Sequence, residues 1–472
     1  MTRCQDLILR NVEVDGRAGL DVRIRNGFVA EIGAGLPPSA NEHDGAGGAL
    51  IPGLMDHHIH LLGLAAQRAS VVLDDVSCRR ELADLLTRVL AQHPPGAWIR
   101  AIGYHESIAG ELTRAELDAL APHHKLRVQH RTGALWMLSS LALESLQAGE
   151  DTASCIERDE RGRPTGRLWR GDAWLRARLP AQPPDLAPIG SQLAAYGITS
   201  VTDASATTDA QAARVLGAAV ADGSLPVRLM LMSAGELGRP VDSAFAVGPV
   251  KVLLDDHALP GLSDFIATIE RARRWNRHVA VHCVTAGELA LTLAAFDAAG
   301  ALPGDRIEHG GVIPFEAIAR IQGMGLTVVT QPAFVAERGD RYLADVDPAE
   351  QDDLYRCGTL LAAGIPVLGS SDAPYAAFDP WAAMRAAVAR KTVRGATLGA
   401  HERVTARQAL NLYLGSRVEA GAPADLCLMK APLRDVLNTL RAEMVQATWR
   451  GGVRSGQSKA EQAPRQRIGN FQ

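Results

Sequence analysis

Between residues 49 and 414, short apolar runs alternate with longer stretches of helical periodicity, and few architectures tolerate that rhythm. Strand-like runs fall at 50–54, 98–102, 126–128, 198–201, 227–232, 250–254, 279–281, 306–307, 327–329 and 367–369. Between them, as at 79–90, 211–219, 262–275 and 288–299, apolar residues recur three and four apart. Strands alternating with helices form parallel βα units, and enough of them close into an eight-stranded barrel of about 250 residues plus insertions. The expected fold class is α/β, a (β/α)8 TIM-like barrel over 51–414. The strand-like runs outnumber the eight that a barrel holds, so one or two are surplus. Residues 104–184 carry more turn chemistry, and we read them as an insertion that takes one early strand.

The chain is also β-rich at both ends. Runs at 6–14, 20–25 and 28–32 are separated by Asp15-Gly16 and Asn26-Gly27, the second a strong hairpin signal. Strand character returns at 424–429 and 445–450. A small β-sandwich built from both termini, 1–50 with 415–454, accounts for these runs. The polar tail, 455–472, is expected to be disordered.

Lys+Arg 49 against Asp+Glu 53 leaves a net charge of −4, which argues against a nucleic-acid footprint or an anionic-membrane surface. No run of about 18 apolar residues offers a membrane span, and the charged first residues lack a signal core. Six scattered cysteines without a Cys-x-x-Cys pair fit a reduced, cytoplasmic protein. Cys283 alone invites a nucleophilic reading, because it adjoins His282.

The chemistry gathers at strand ends. In IPGLMDHHIHLLG, His58 and His60 are two apart, so a strand turns both to one side and His57 away. His282 ends HVAVHC, His309 ends DRIEHG and Asp372 ends PVLGSSDAP. In a βα barrel these ends share one rim, where active sites sit. Imidazoles converging with a carboxylate suit a divalent metal.

PGLMDHHIH resembles the Pro-Gly-(Leu/Phe)-(Ile/Met)-Asp-x-His-x-His signature of the amidohydrolase superfamily. SRVEAGAPADLCLM resembles that family's closing strand, and WIRAIGYHES, LRVQHRTGALWML, RDERGRPTGRL, YGITSVTDA and SDAPYAAFDPW resemble its amidohydrolase-3 branch. The resemblance covers nearly the whole chain. It implies that His58 and His60 bind one divalent metal with Asp372. His282 and His309 would bind a second, or His282 would complete a mononuclear site and leave His309 to hold a carbonyl. Lys251, in PVKVLLDD, matches a lysine that many relatives carboxylate with CO2 to bridge two metals. Read from its own neighbours, Lys251 is a barrel-end ion pair with Asp255 or Asp256. Zinc is the expected metal, and the same ligands accept cobalt, manganese or iron.

The implied reaction is hydrolysis of a C–N bond by metal-activated water, with Asp372 as general base and acid. Rim segments are mostly neutral, and Trp136, Phe315, Phe334, Tyr375 and Phe378 are candidates for an apolar pocket. His130 and Arg131 are candidate donors to a substrate carbonyl. Arg338 and Arg341 are either carboxylate anchors or surface charges paired with Glu337 and Asp340. A neutral, hydrophobic amide, carbamate or urea follows, in the neighbourhood of phenylurea and thiocarbamate hydrolases. The segment from His282 to Glu288 and the Gly133-Ala134 loop depart from the branch where substrate would bind. Two other readings stand beside this one: a mononuclear deaminase using Glu288, and a metal-free assembly relative. The partners expected are a small-molecule substrate and further copies of the chain.

Overall fold

The computed structural model describes residues 6–180, 184–240 and 243–456. The tail expected to be disordered lies outside the described residues from 457 onward. Two compact units emerge, one made of residues 1–61 with 186–472 and the other of 62–185. Among the described residues no helix is long and apolar enough to cross a membrane.

The first unit holds the barrel. Its strands are β1 (Leu54–Ile59), β2 (Ile198–Asp203), β3 (Arg228–Ser233), β4 (Ala246–Val252), β5 (Val279–Cys283), β6 (Arg306–His309), β7 (Thr327–Thr330) and β8 (Val367–Gly369). They lie side by side in chain order, each pair parallel. The seam between β8 and β1 is closed by backbone bonds from Asp372 N to His58 O and from His60 N to Ala373 O, both 2.8 Å. Burial on both faces explains why the strands read as apolar runs rather than as alternating ones. The helix Ala286–Ala299 shows the local logic of the βα units. Thr285 and Glu288 cap it reciprocally, satisfying amides that the first turn leaves free.

The termini form two four-stranded sheets. One contains Asp6–Val14, Arg17–Arg25, Phe28–Gly33 and Asn41–Asp44, and the other Leu50–Pro52, Leu426–Met429, Val445–Arg450 and Val453–Arg454. Leu9, Val22 and Ile24 of the first share one core with Leu426, Leu428 and Trp449 of the second. The expected sandwich is thus present. The apolar run at 50–54 divides between it and β1.

The second unit departs from expectation at its start. It begins at residue 62, not near 104. Its six-stranded sheet pairs Val71–Val72, Trp98–Tyr104 and Lys125–His130 in parallel, and continues antiparallel through Leu135–Leu138, Pro164–Trp169 and Ile156–Arg158. Both early surplus runs, at 98–102 and 126–128, therefore belong here. Leu82, Leu86, Ile99, Leu126 and Val128 give this unit its own core.

Candidate metal centre

Five of the chemistry-bearing side chains expected at the rim come together. His58 Nε2 and His60 Nε2 lie 3.3 and 3.2 Å from Asp372 Oδ1. The His309 ring centre is 4.8 Å from that of His58 and 4.5 Å from that of His282. Ligand atoms of His58, His309 and Asp372 all fall within 4.8 Å of one another, a spacing one cation can span. The backbone is bent to achieve this. His309 and Asp372 sit at φ of 70° and 55°, a left-handed region that side chains other than glycine rarely adopt. That turn lets Glu308 and His309, adjacent on β6, both face the site.

Each imidazole is oriented from behind. His58 Nδ1 meets Glu308 Oε2 at 2.5 Å, His60 Nδ1 meets Ser205 Oγ at 2.9 Å, and His309 Nδ1 meets Gln331 Oε1 at 3.0 Å. An ionised carboxylate only accepts, so His58 Nδ1 donates and Nε2 is left with its lone pair toward Asp372. The Gln331 amide donates to Ser370 Oγ, which turns its carbonyl to His309 and fixes that ring in the same way. Asp203 accepts from the amides of Leu61 and Ser205, bracing the Ser205–His60 contact. Asp56 accepts from the amides of His58 and Ser371 and from Ser371 Oγ, tying the end of β1 to the turn that carries Asp372. Of these supports only Asp56 lies beside the histidine pair in the sequence. Glu308 stands directly before His309 on β6, between Ile307 and that histidine.

Electrostatics suit a cation. Burial pushes the His58 and His282 imidazoles down to about 4, with Lys251 adding to it, and holds His309 well below its ordinary value. All three are therefore neutral at pH 7, the form in which an imidazole can accept a cation. Burial works against ionisation of Asp372, but the polar His60 ring beside it, and then those of His58 and His309, hold it below the usual carboxylate range. His58 Nε2, Asp372 Oδ1 and Lys251 Nζ are buried with no hydrogen-bond partner. Unpaired polar atoms in a protein interior are costly, so a convergent set of them marks a place for a ligand. The residues present fit a divalent metal.

Lys251 is 1% exposed. Its electrostatic neighbours are Glu308 and Asp372, and Asp255 and Asp256 are exposed, so the barrel-end ion pair does not form. Cys283 is not a nucleophile: burial pushes its thiol up to about 12, and it contacts Thr292 Oγ1 at 3.3 Å. Glu288 is spent on the helix cap, its carboxylate accepting from the amides of Val284 and Thr285.

The expected pocket residues are scattered. Tyr375 is 61% exposed, with its ring 5.8 Å from that of His60. Phe334 is buried against Tyr355, with the Arg338 guanidinium 4.1 Å above its ring. Arg338 also donates to Tyr375 O, whereas Arg341 pairs on the surface with Asp345. Glu337 accepts from the Ala377 amide with Arg338 as an electrostatic neighbour, and Asp340 accepts from Thr392. Phe315 is exposed. Phe378 packs edge-on against Tyr196, the residue that ends the helix before β2. His130, Arg131 and Trp136 lie in the second unit. His130 contacts Glu106 and Thr132 there, and Arg131 is exposed. Trp136 is 4% exposed in that unit's core and donates to Asp172 at 2.9 Å, which corrects its reading as a pocket wall.

The profile of the Amidohydrolase family, Amidohydro_3, matches residues 42–457. The chain is 26% identical to an N-substituted formamide deformylase of Arthrobacter pascens, over 96% of this chain and 98% of that one. Among solved structures, an uncharacterized metal-dependent hydrolase from Pyrococcus furiosus superposes with a TM-score of 0.67 at 19% identity, covering 89% of this chain and 98% of the other. A triazine hydrolase variant superposes with a TM-score of 0.54 at 15% identity, covering 95% and 94%.

Proposed function

The chain belongs to the Amidohydrolase family, and from that premise we propose that it hydrolyses a C–N bond of a neutral, hydrophobic amide, carbamate or urea at one or two divalent metals, zinc first among them. The observation that carries this reading is the convergence of buried, unpartnered His58 Nε2 and Asp372 Oδ1. His58, His60, His309 and Asp372 would hold the metal, with His282 beside His309. When bound, such a metal lowers the pKa of a water toward about 7 and polarises a carbonyl.

The chain's own groups do the rest. Asp372 is ionised, so it takes the proton of the attacking water and later delivers it to the leaving nitrogen. An amine departs poorly as an anion, which is why that second transfer matters. His309 gives its one proton from Nδ1 to the Gln331 carbonyl, so its Nε2 offers a lone pair, which suits a metal and not a carbonyl oxygen. Tyr375, exposed above His60, is the rim residue placed to meet a substrate side chain. His130 and Arg131 stay as proposed donors of the second unit.

Burial favours the neutral amine of Lys251, the form that attacks CO2. The step forms one N–C bond and releases one proton to solvent, leaving an anionic oxygen ligand facing the site. Glu288 is engaged in a helix cap, so the deaminase reading loses the residue on which it rested.

Similarity along the whole chain to an N-substituted formamide deformylase supports N-substituted formamides as the first compounds to try. The test is a panel of N-substituted formamides, carbamates and phenylureas, with amine release read by chromatography on zinc-loaded protein. Release from any of them, abolished in Asp372→Asn, is expected. No release from all three classes would contradict the reading. We carry forward the cytoplasmic, homo-oligomeric expectation, to be checked by fractionation and light scattering.

A further inference from the structure

Of the imidazoles on Asp372 and their neighbour His309, His58 alone is backed by a carboxylate among the described residues. His60 leans on a hydroxyl and His309 on an amide. That carboxylate, Glu308, is fully buried and both of its oxygens are used. Oε2 takes His58 Nδ1 at 2.5 Å, and Oε1 takes Arg306 Nε at 2.6 Å. Arg306 then donates from Nη2 to the carbonyl of His57 at 2.8 Å. The loop of contacts starts on β6, crosses the barrel interior to β1 and returns through the β1 backbone. β1 and β6 are not sheet neighbours, so no ladder hydrogen bond does this work.

We propose that Glu308 is the positioning residue of the metal centre, clamped by Arg306, and that it aims His58 Nε2 at the cation. The proposal rests on the metal reading above. An anionic acceptor at Nδ1 fixes which ring nitrogen carries the proton, stops the ring turning and makes Nε2 a stronger donor to a metal. Loss of such a partner typically weakens metal binding by about 10–100-fold. Glu308 therefore acts through His58 and does not touch substrate.

Glu402 supplies an internal control. It too is fully buried and paired with an arginine, Arg356, at 2.7 Å, but it serves the backbone around Cys357 and Thr359. If Glu308 were only a buried ion pair, its loss and that of Glu402 would act alike.

The experiment measures zinc dissociation constants by competition with a chromophoric chelator. It compares the parent, Glu308→Gln, Glu308→Ala and Glu402→Gln, with unfolding temperatures and cobalt(II) visible spectra alongside. Expected is a loss of zinc affinity of about 10-fold or more in Glu308→Gln, larger in Glu308→Ala, with a shifted cobalt band. Glu402→Gln should lower the unfolding temperature and leave zinc affinity and spectrum at parental values. The near-isosteric Gln variant carries the test should Ala fail to fold. Parental zinc affinity and spectrum in Glu308→Gln would overturn the positioning role while leaving the metal reading intact. A parent that binds no zinc would overturn the metal reading itself.

Discussion

The rim of the barrel and the 62–185 unit are both rich in histidine, arginine and aromatic residues, yet they treat polar atoms differently. At the rim, His58 Nε2, Asp372 Oδ1 and Lys251 Nζ are buried and unpaired. In the second unit, both ring nitrogens of His130 and the indole of Trp136 have partners. Arg127 Nε and Arg167 Nε are exceptions there, but the Arg127 guanidinium lies over Trp98 and Trp136, and Arg167 Nε is 3.5 Å from Glu157 Oε2. Within the first unit the contrast recurs between two buried cations. Arg390 donates to three carbonyls, whereas Lys251 donates to none. Saturated polar groups hold a fold together, and unsaturated ones in a preformed cluster await a ligand.

The sharpest break in this comparison is Asp372→Asn. Losing the proton carrier should lower kcat by about 10²–10⁴-fold with the unfolding temperature near parental, measured on any substrate found active. Next comes Lys251→Ala, expected to lower the metal bound per chain and to abolish its dependence on bicarbonate, as read by elemental analysis. A carboxylated Lys251 predicts both effects, whereas a lysine that only fills space predicts neither.

Acid stability comes third. His57 is buried and pushed down to about 3, and His282 to about 4, both from 6.5. For a depressed histidine the unfolded chain binds the proton more readily. Stability is therefore fully present above about pH 6.5 and drains away as pH falls toward the folded values. Unfolding temperature should drop steadily from pH 6.5 to 4 in metal-free protein, and His57→Gln should flatten that slope. Trp136→Phe comes fourth. It deletes the bond to Asp172, should cost about 1 kcal/mol in denaturant unfolding, and should leave metal content unchanged. Smallest is Arg341→Ala, which breaks an exposed pair with Asp345 and should move stability by under about 0.5 kcal/mol.

Much of the rim was legible because its signals are local. A histidine pair at i and i+2, or an Asp after an apolar run ending in Gly-Ser-Ser, announces a strand end wherever the strand sits. The supports were less legible, because they join distant strands. Nothing near His58 points to Glu308, 250 residues away. The insertion was misjudged for a related reason. Its own sheet opens with parallel strands joined through helices, so 98–102 and 126–128 carry the same local pattern as barrel strands and only pairing tells them apart. The partner of Phe378 was likewise illegible, because Tyr196 lies far from it in the chain.

The central claim is that His58, His60 and Asp372 form a metal site, and elemental analysis per chain tests it most directly. Parent protein purified without chelator is compared with Asp372→Asn, both before and after reconstitution with zinc and bicarbonate. The account predicts at least one divalent metal in the parent and a clear loss in the variant. A folded parent that holds no metal even after reconstitution would contradict it.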